Sequence, residues 1–440
     1  MDRFEIIGGN ALTGQIRIKG AKNSVLPLLS ASLLTEDEVT IEDCPKLSDI
    51  DNMLKIIAAL GVEVERSGGA VKTRGKIKNT EIPDTLAKEM RSSIFLLGSM
   101  LAMRGRAVTA YPGGCAIGDR PIDLHIKGLK QLGVKFADDD AHVDCRIPCS
   151  DGRECSAKDL KGADIFLKKP SVGATENLLL ASVLARGKTV LRNVALEPEI
   201  TDLVRMLNNM GAKITGEGGP ILEIEGVEGL RGITYTPIPD RIVAGTMLVA
   251  VSMCGGDVKI VNCELNHLNA VTAKLRRFGC HISSKYGITH IMAEGKPTPV
   301  RELVTAPYPG FPTDMQAQFV AMLTLADGVS LVNEKVFERR FGYIEELKKL
   351  GADIDVVHDI AVVRGGKKLT GAQVRATDLR GGSALVLAGL CAEGKTTVLD
   401  AAHIDRGYES FEEMLSRLGA NIQRKKDGEL KDRGLKIQSV

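Results

Sequence analysis

Hydrophobic positions along this chain fall into two recurring patterns. In the first, residues are apolar on nearly every side of a long run: Ser24 to Leu34, Ser93 to Met103, Gly173 to Leu184, Val243 to Met253, Met315 to Leu325 and Ala384 to Cys391. These runs are rich in Leu, Ala and Met and too long for strands, so they predict buried helices. Each leads through a glycine or acidic turn to a short β-branched strand, such as Val39 to Glu42, Thr189 to Arg192, Val258 to Val261 or Thr396 to Leu399. In the second pattern an amphipathic helix ends in a bulky apolar residue, a glycine and a strand. The tags are Leu60-Gly61-Val62, Leu132-Gly133-Val134, Met210-Gly211-Ala212, Phe278-Gly279-Cys280, Leu350-Gly351-Ala352 and Leu418-Gly419-Ala420. Their glycines stand 68 to 78 residues apart and suit the left-handed turn that closes a helix. Six repeats of one α/β unit therefore predict the architecture.

With 440 residues the chain exceeds one typical core, and six units divide into three and three near Gly226 to Pro239. A net charge of +2 gives no global basic field, so an anionic ligand needs a local group of Arg and Lys. Trp is absent and aromatics make up 4%, leaving little material for stacking on nucleic-acid bases. The longest uncharged apolar stretch, Ile242 to Gly256, is shorter than a membrane span, and MDRFEIIGGN lacks the marks of a signal peptide. The expectation is a cytoplasmic protein with neither a nucleic-acid nor a membrane partner. Nine cysteines argue against a disulfide framework. Cys145, Cys149 and Cys155, near His142, lack paired zinc spacing and read as flanking a surface hairpin, without a metal.

Candidate chemistry gathers at the ends of the repeated elements. Lys22 with Asn23, Arg91, Lys169, Arg241, Asp314 and Arg380 begin the apolar helices, while Arg120, Arg340 and Arg406 begin or just precede amphipathic ones. A cation at a helix N-terminus opposes the macrodipole, so its repetition points to a cleft for phosphate and carboxylate. The loop YPGGCAIGDRP places Cys115 between glycines, near Arg120 and a helix opening at Pro121. That setting lowers a thiol's pKa and suits acid–base or nucleophilic work, although a plain turn cysteine fits the same sequence. In FPTDMQAQF, Asp314 reads either as a helix cap or, if Thr313 caps, as a free base.

The stretches IKGAKNSVLPLL, YPGGCAIGDRPIDLHIKGL, SVGATENLLLAS, FPTDMQAQF and HIDRGYE closely resemble the UDP-N-acetylglucosamine carboxyvinyltransferase family of enolpyruvyl transferases. The resemblance runs from the first strand to the last unit. It implies two inside-out α/β barrels of three units each, helices inside and sheets outside, with residues 1–21 plus 235–440 as one domain and 22–234 as the other. It implies transfer of the enolpyruvyl group of phosphoenolpyruvate to the 3-hydroxyl of UDP-N-acetylglucosamine, through a tetrahedral intermediate and with release of phosphate, in peptidoglycan synthesis. Lys22, Arg120 and Arg406, with Arg380 close by, resemble the phosphoenolpyruvate clamp, and Asn23 is poised for the intermediate. Cys115 resembles the proton donor, the residue alkylated by fosfomycin, and Asp314 the group that takes the sugar hydroxyl proton. The sugar-nucleotide contacts implied are Arg91, Arg120, Pro121, Ile122, Asp123, Leu124, Lys169, Pro170, Ser171, Val172, Gly173, Asp314 and Val336, with Glu197 and Arg340 as weaker candidates. No metal or organic cofactor is implied.

Ser24, Pro170 and Val336 depart from the family pattern where backbone or shape contacts are expected. The charged tail, Arg424 to Lys436, reads as solvated. Three rivals compete with this reading. A sister enzyme acting on shikimate 3-phosphate would lack the cysteine loop, and a silent sensor would have no need of Lys22, Cys115, Asp314 and Arg406 together. An RNA-end-processing relative is disfavoured by the near-neutral charge.

Overall fold

The computed structural model describes residues 2–89, 91–111, 118, 121–137, 141–149, 155–295 and 297–426, with only the backbone at Arg91. The six apolar runs are helical: Lys22–Ala31, Leu96–Arg104, Val172–Ser182, Arg241–Cys254, Gln316–Leu323 and Leu379–Cys391. They are buried along almost their whole length, as all-round apolarity requires. Each fully buried Leu, such as Leu28, Leu178 or Leu385, contributes about 1.5–3 kcal/mol relative to exposure. The six tag glycines all take positive φ, between 88° and 112°.

The strands form six separate sheets, five of four strands and one of three, and no sheet closes on itself among the described residues. Four sheets share one construction, a parallel pair extended by an antiparallel hairpin: Asp164–Phe166 beside Lys188–Arg192, Leu303–Val304 beside Val329–Asn333, Thr234–Tyr235 beside Val39–Ile41, and Leu12–Arg17 beside Gly256–Val261. Two apolar cores result. One gathers residues from Val25 to Ile224; the other joins Phe4 to Ile18 with Ile242 to Ile422.

The chain passes between the two cores twice, and the two passages are bonded side by side. Ala21 N donates to Ile238 O at 2.8 Å and Asp240 N to Lys19 O at 2.9 Å, with Gly20 bridged to Pro239. The Lys22 and Arg241 helices both start at this crossing, which sets their N-termini close together. Asp202 fastens it: its buried carboxylate accepts from Ser24 Oγ, from Tyr235 Oη at 2.6 Å and from Ile238 N at 3.2 Å. Ser24 thus makes a side-chain bond where only backbone or shape contact was expected, because its hydroxyl faces that carboxylate inside the core.

The cysteines hold one bond that was not foreseen, and one further expectation is corrected. Cys149 and Cys155 are joined as a disulfide, a local staple and not a framework; the buried Cys145 thiol points to Ala107 O at 3.3 Å. Arg424 is not solvated. It lies on the strand Asn421–Lys425, and its guanidinium engages Asp2, Asp405 and Glu412. Residues 427–440 of the tail fall outside the described part.

Candidate active site

Lys22 opens its helix with no side-chain cap, and its amide donates instead to Asp240 Oδ2 at 3.1 Å. Asp240 also caps its own helix, accepting from Ile242 N and Val243 N at 2.9 Å. The Lys22 ammonium is buried and lies 2.6 Å from Asp49 Oδ2. Arg406 approaches that same carboxylate from the other core, Nε donating to Oδ1 at 2.9 Å and Nη2 to Oδ2 at 3.4 Å. Burial pulls the Lys22 pKa down against the attraction of Asp49, and the nearby charges of Arg380 and Arg406 add to the fall. Burial pushes the Asp49 carboxyl upward, but Lys22 and Arg406 together carry it below the ordinary carboxylate value.

Asp314 forms the second centre. It sits inside the short 3-10 turn Thr313–Met315 and is not a cap. Thr313 does not cap either, because its hydroxyl donates to Glu334 Oε2 at 2.9 Å. The Asp314 carboxylate is held between Arg340 Nη2 at 2.7 Å and Arg380 Nη2 at 3.1 Å, both buried. Among the described residues Arg380 Nε and Nη1 and Arg340 Nη1 are buried without a partner. Orphaned guanidinium donors inside a protein are costly. Such unspent donors suit an anionic ligand. Four cations from separate segments, Lys22, Arg340, Arg380 and Arg406, thus surround two shared carboxylates.

Arg241 is drawn elsewhere than expected. Its Nε and Nη2 donate to Glu199 at 3.0 and 3.3 Å, a buried pair between the cores, and its guanidinium stands 5.7 Å from the Tyr308 ring. Glu197, near Tyr308 N at 3.5 Å, and the fully buried Glu176 complete an acidic group. Burial raises the Glu197 pKa, and burial with Glu199 and Glu197 nearby lifts Glu176 well above the ordinary value.

A third cluster forms where two helix starts meet. Ser171 accepts from Ala174 N at 3.4 Å and caps the Val172–Ser182 helix. Beside it starts Asp123–Gln131, two residues beyond Pro121, with Leu124 and His125 buried and Asp123 half-buried. Asn177 locks this corner, accepting from Gly98 N at 2.8 Å, donating to Ile94 O at 2.8 Å and bonding His125 Nδ1 at 2.8 Å. Gly173 is required by close approach: a Cβ there would lie 2.9 Å from the Phe95 ring and 3.0 Å from His125. Lys169 and Pro170 are exposed, Ser171, Val172 and Gly173 partly so, and Asn23 is exposed beside Lys22. The two helix N-termini leave free amides suited to phosphate.

Cys115, Arg120 and the Arg91 side chain lie outside the described residues. Gly118, within the same loop, is described, and a Cβ there would come 2.6 Å from Glu338 Oε2, so the loop reaches the segment that carries Val336 and Arg340. Val336 itself donates its amide to Glu334 Oε1 at 2.8 Å. Sequence reasoning missed Asp49, Glu334 and Asn177. Asp49 is one of two acids in the first turn of its helix, and nothing local separates it from Asp51.

The family profile described as EPSP synthase (3-phosphoshikimate 1-carboxyvinyltransferase) matches residues 6–415. UDP-N-acetylglucosamine 1-carboxyvinyltransferase 2 of Caldanaerobacter subterraneus subsp. tengcongensis is 48% identical over 425 residues, covering 96% of this chain and all of that one. The Proteus mirabilis protein named UDP-N-acetylglucosamine 1-carboxyvinyltransferase is 46% identical over 424 residues, 96% of this chain and 99% of that one. Among solved structures, the enolpyruvyl transferase NikO of Streptomyces tendae superposes with a TM-score of 0.85 at 27% identity, covering 96% of this chain and 99% of that one. EPSP synthase of Acinetobacter baumannii, at 19% identity and TM-score 0.74 over 97% of this chain and 100% of that one, shares the fold. Matched almost end to end by both profile and relatives, the chain belongs to the EPSP synthase family, among the UDP-N-acetylglucosamine 1-carboxyvinyltransferases.

Proposed function

We propose that this chain transfers the enolpyruvyl group of phosphoenolpyruvate to the 3-hydroxyl of UDP-N-acetylglucosamine and releases phosphate, the committing step of peptidoglycan synthesis. The observation that carries this reading is the gathering of Lys22 and Arg406 on Asp49 and of Arg340 and Arg380 on Asp314, with the charge of Arg380 felt at Lys22 and buried guanidinium donors left over. Both phosphoenolpyruvate and the tetrahedral ketal phosphate are densely anionic. Cations fixed in place before reaction lower the barrier without reorganising.

In this mechanism Lys22, Arg120, Arg380 and Arg406 hold the phosphate and carboxylate of phosphoenolpyruvate, and Asn23 contacts the intermediate. Cys115 protonates C3 while the sugar oxygen attacks C2 and Asp314 receives the hydroxyl proton. C3 then loses a proton as phosphate departs. Arg340 fixes the orientation of Asp314. Arg91, the turn from Arg120 to Leu124, Lys169 to Gly173 and Val336 bind the sugar nucleotide, the two helix N-termini facing its phosphates. Phosphoenolpyruvate carries its own leaving group, so the chemistry needs no cofactor.

The same reading takes the six sheets and buried helices as two inside-out barrels of three units. Two separate cores support the division into 22–234 and 1–21 plus 235–440. A cytoplasmic location goes with the substrates, and no described helix is long and apolar enough to cross a membrane. Asp314→Asn tests the mechanism. It should lower kcat for phosphate release by about 10²–10⁴-fold, the usual worth of a positioned base, with UDP-N-acetylglucosamine still bound in calorimetry. An unchanged kcat removes Asp314 from the chemistry.

A further inference from the structure

Arg406 rides on a short segment that has little structure of its own. Asp400 and Ser410 bound it with left-handed backbone angles, φ 59° and 45°, and between them lies a single 3-10 helix, Ala401–Arg406. Such a turn is too short to hold a long side chain in one direction unaided. An external fastening is present. Arg424, on the last strand, pairs in register with Phe4, and its guanidinium stands 4.8 Å from the Phe4 ring. Its Nη1 and Nη2 form a two-pronged bond to Asp405, Nη1 at 3.0 Å, while Nε donates to Glu412 Oε1 at 2.8 Å and Nη1 also to Asp2 Oδ2 at 3.2 Å.

Asp405 immediately precedes Arg406. With three residues per 3-10 turn, adjacent side chains diverge by roughly 120°. Tying Asp405 back to its own core therefore aims Arg406 the other way, toward Asp49 of the other core. Glu409, three residues on, fixes the far end by accepting from Lys19 Nζ at 2.8 Å and Lys46 N at 2.9 Å. A guanidinium can span three carboxylates in this way because its five donors lie in one rigid fork.

We propose that Arg424 is a positioning residue for the phosphoenolpyruvate clamp, acting through Asp405 to set the direction of Arg406. This rests on the reading of Arg406 as a phosphoenolpyruvate contact. A role confined to stabilising the sheet edge would lower the melting temperature and leave the balance between the two substrates unchanged.

Arg424→Gln, Asp405→Asn, their double variant and Arg406→Lys should be compared by phosphate release with each substrate varied in turn, alongside thermal melting. Arg424→Gln and Asp405→Asn should each raise KM for phosphoenolpyruvate about tenfold, with KM for UDP-N-acetylglucosamine unchanged. The double variant should be no worse than the worse single one, because both remove one interaction. Asp405→Asn carries the test alone if Arg424→Gln fails to fold. Unchanged KM for phosphoenolpyruvate in the folded variants, or an equal rise in both KM values, overturns the positioning role when Arg406→Lys raises KM for phosphoenolpyruvate. If Arg406→Lys leaves that KM unchanged, the assignment of Arg406 itself fails and the proposal falls with it.

Discussion

Glu176 shows how a single residue can be buried against its chemistry. Its carboxyl is 1% exposed, Oε2 has no partner among the described residues, and burial with Glu199 and Glu197 nearby raises its pKa well above 4.5. A carboxyl whose folded pKa is raised contributes stability that is fully present below its unfolded value. That contribution is lost as pH rises toward the folded pKa. Glu176→Gln keeps the shape and removes the titration, so its melting temperature should fall less than that of the wild type between pH 5 and pH 8. At pH 8 the variant should melt at a higher temperature than the wild type. Equal pH slopes in the two proteins would mean that Glu176 does not hold its proton more tightly when folded. At this scale the sequence exposed one kind of residue and hid another. Lys22, Arg380 and Arg406 were legible because repeated helix-end cations are individually unfavourable, and Asp314 stood out as the one acid among those helix starts. Asp49, Glu176 and Arg424 were not, because their partners lie far away in sequence and appear only once the cores are packed.

Elements were easier to read than residues. All-round apolarity identified the six inner helices, and glycine tags identified where the amphipathic ones stop. What the pattern could not supply was the way helices meet. Asn177 and Gly173 carry no local sign that they join three helices, yet Asn177 bonds Gly98, Ile94 and His125 while Gly173 admits the Phe95 and His125 rings. Gly173→Ala should force those rings apart and cost about 1–3 kcal/mol, as overpacking does. Because the displaced turn bears Ser171 and Val172, KM for UDP-N-acetylglucosamine should rise severalfold while KM for phosphoenolpyruvate stays the same. Unfolding and steady-state kinetics on one preparation check both effects, and an unchanged acceptor KM would detach this corner from the sugar-nucleotide site.

Across the whole molecule, charged pairs bridge the two cores beside the backbone crossing. Asp49 accepts from Lys22 on one side and Arg406 on the other, and Arg241 reaches Glu199 across the same boundary. Such pairs hold less strongly than apolar packing once solvated. The fold alone does not choose an acceptor, since an EPSP synthase superposes over nearly the same length. In the proposed reading, the helix-start corner and the Asp314 centre make that choice. The most direct test is to incubate the purified chain with phosphoenolpyruvate and either UDP-N-acetylglucosamine or shikimate 3-phosphate, following phosphate release and the mass of the product. Phosphate and an enolpyruvyl adduct should form with the sugar nucleotide alone; turnover with shikimate 3-phosphate, or binding of UDP-N-acetylglucosamine without any phosphate release, would contradict the account.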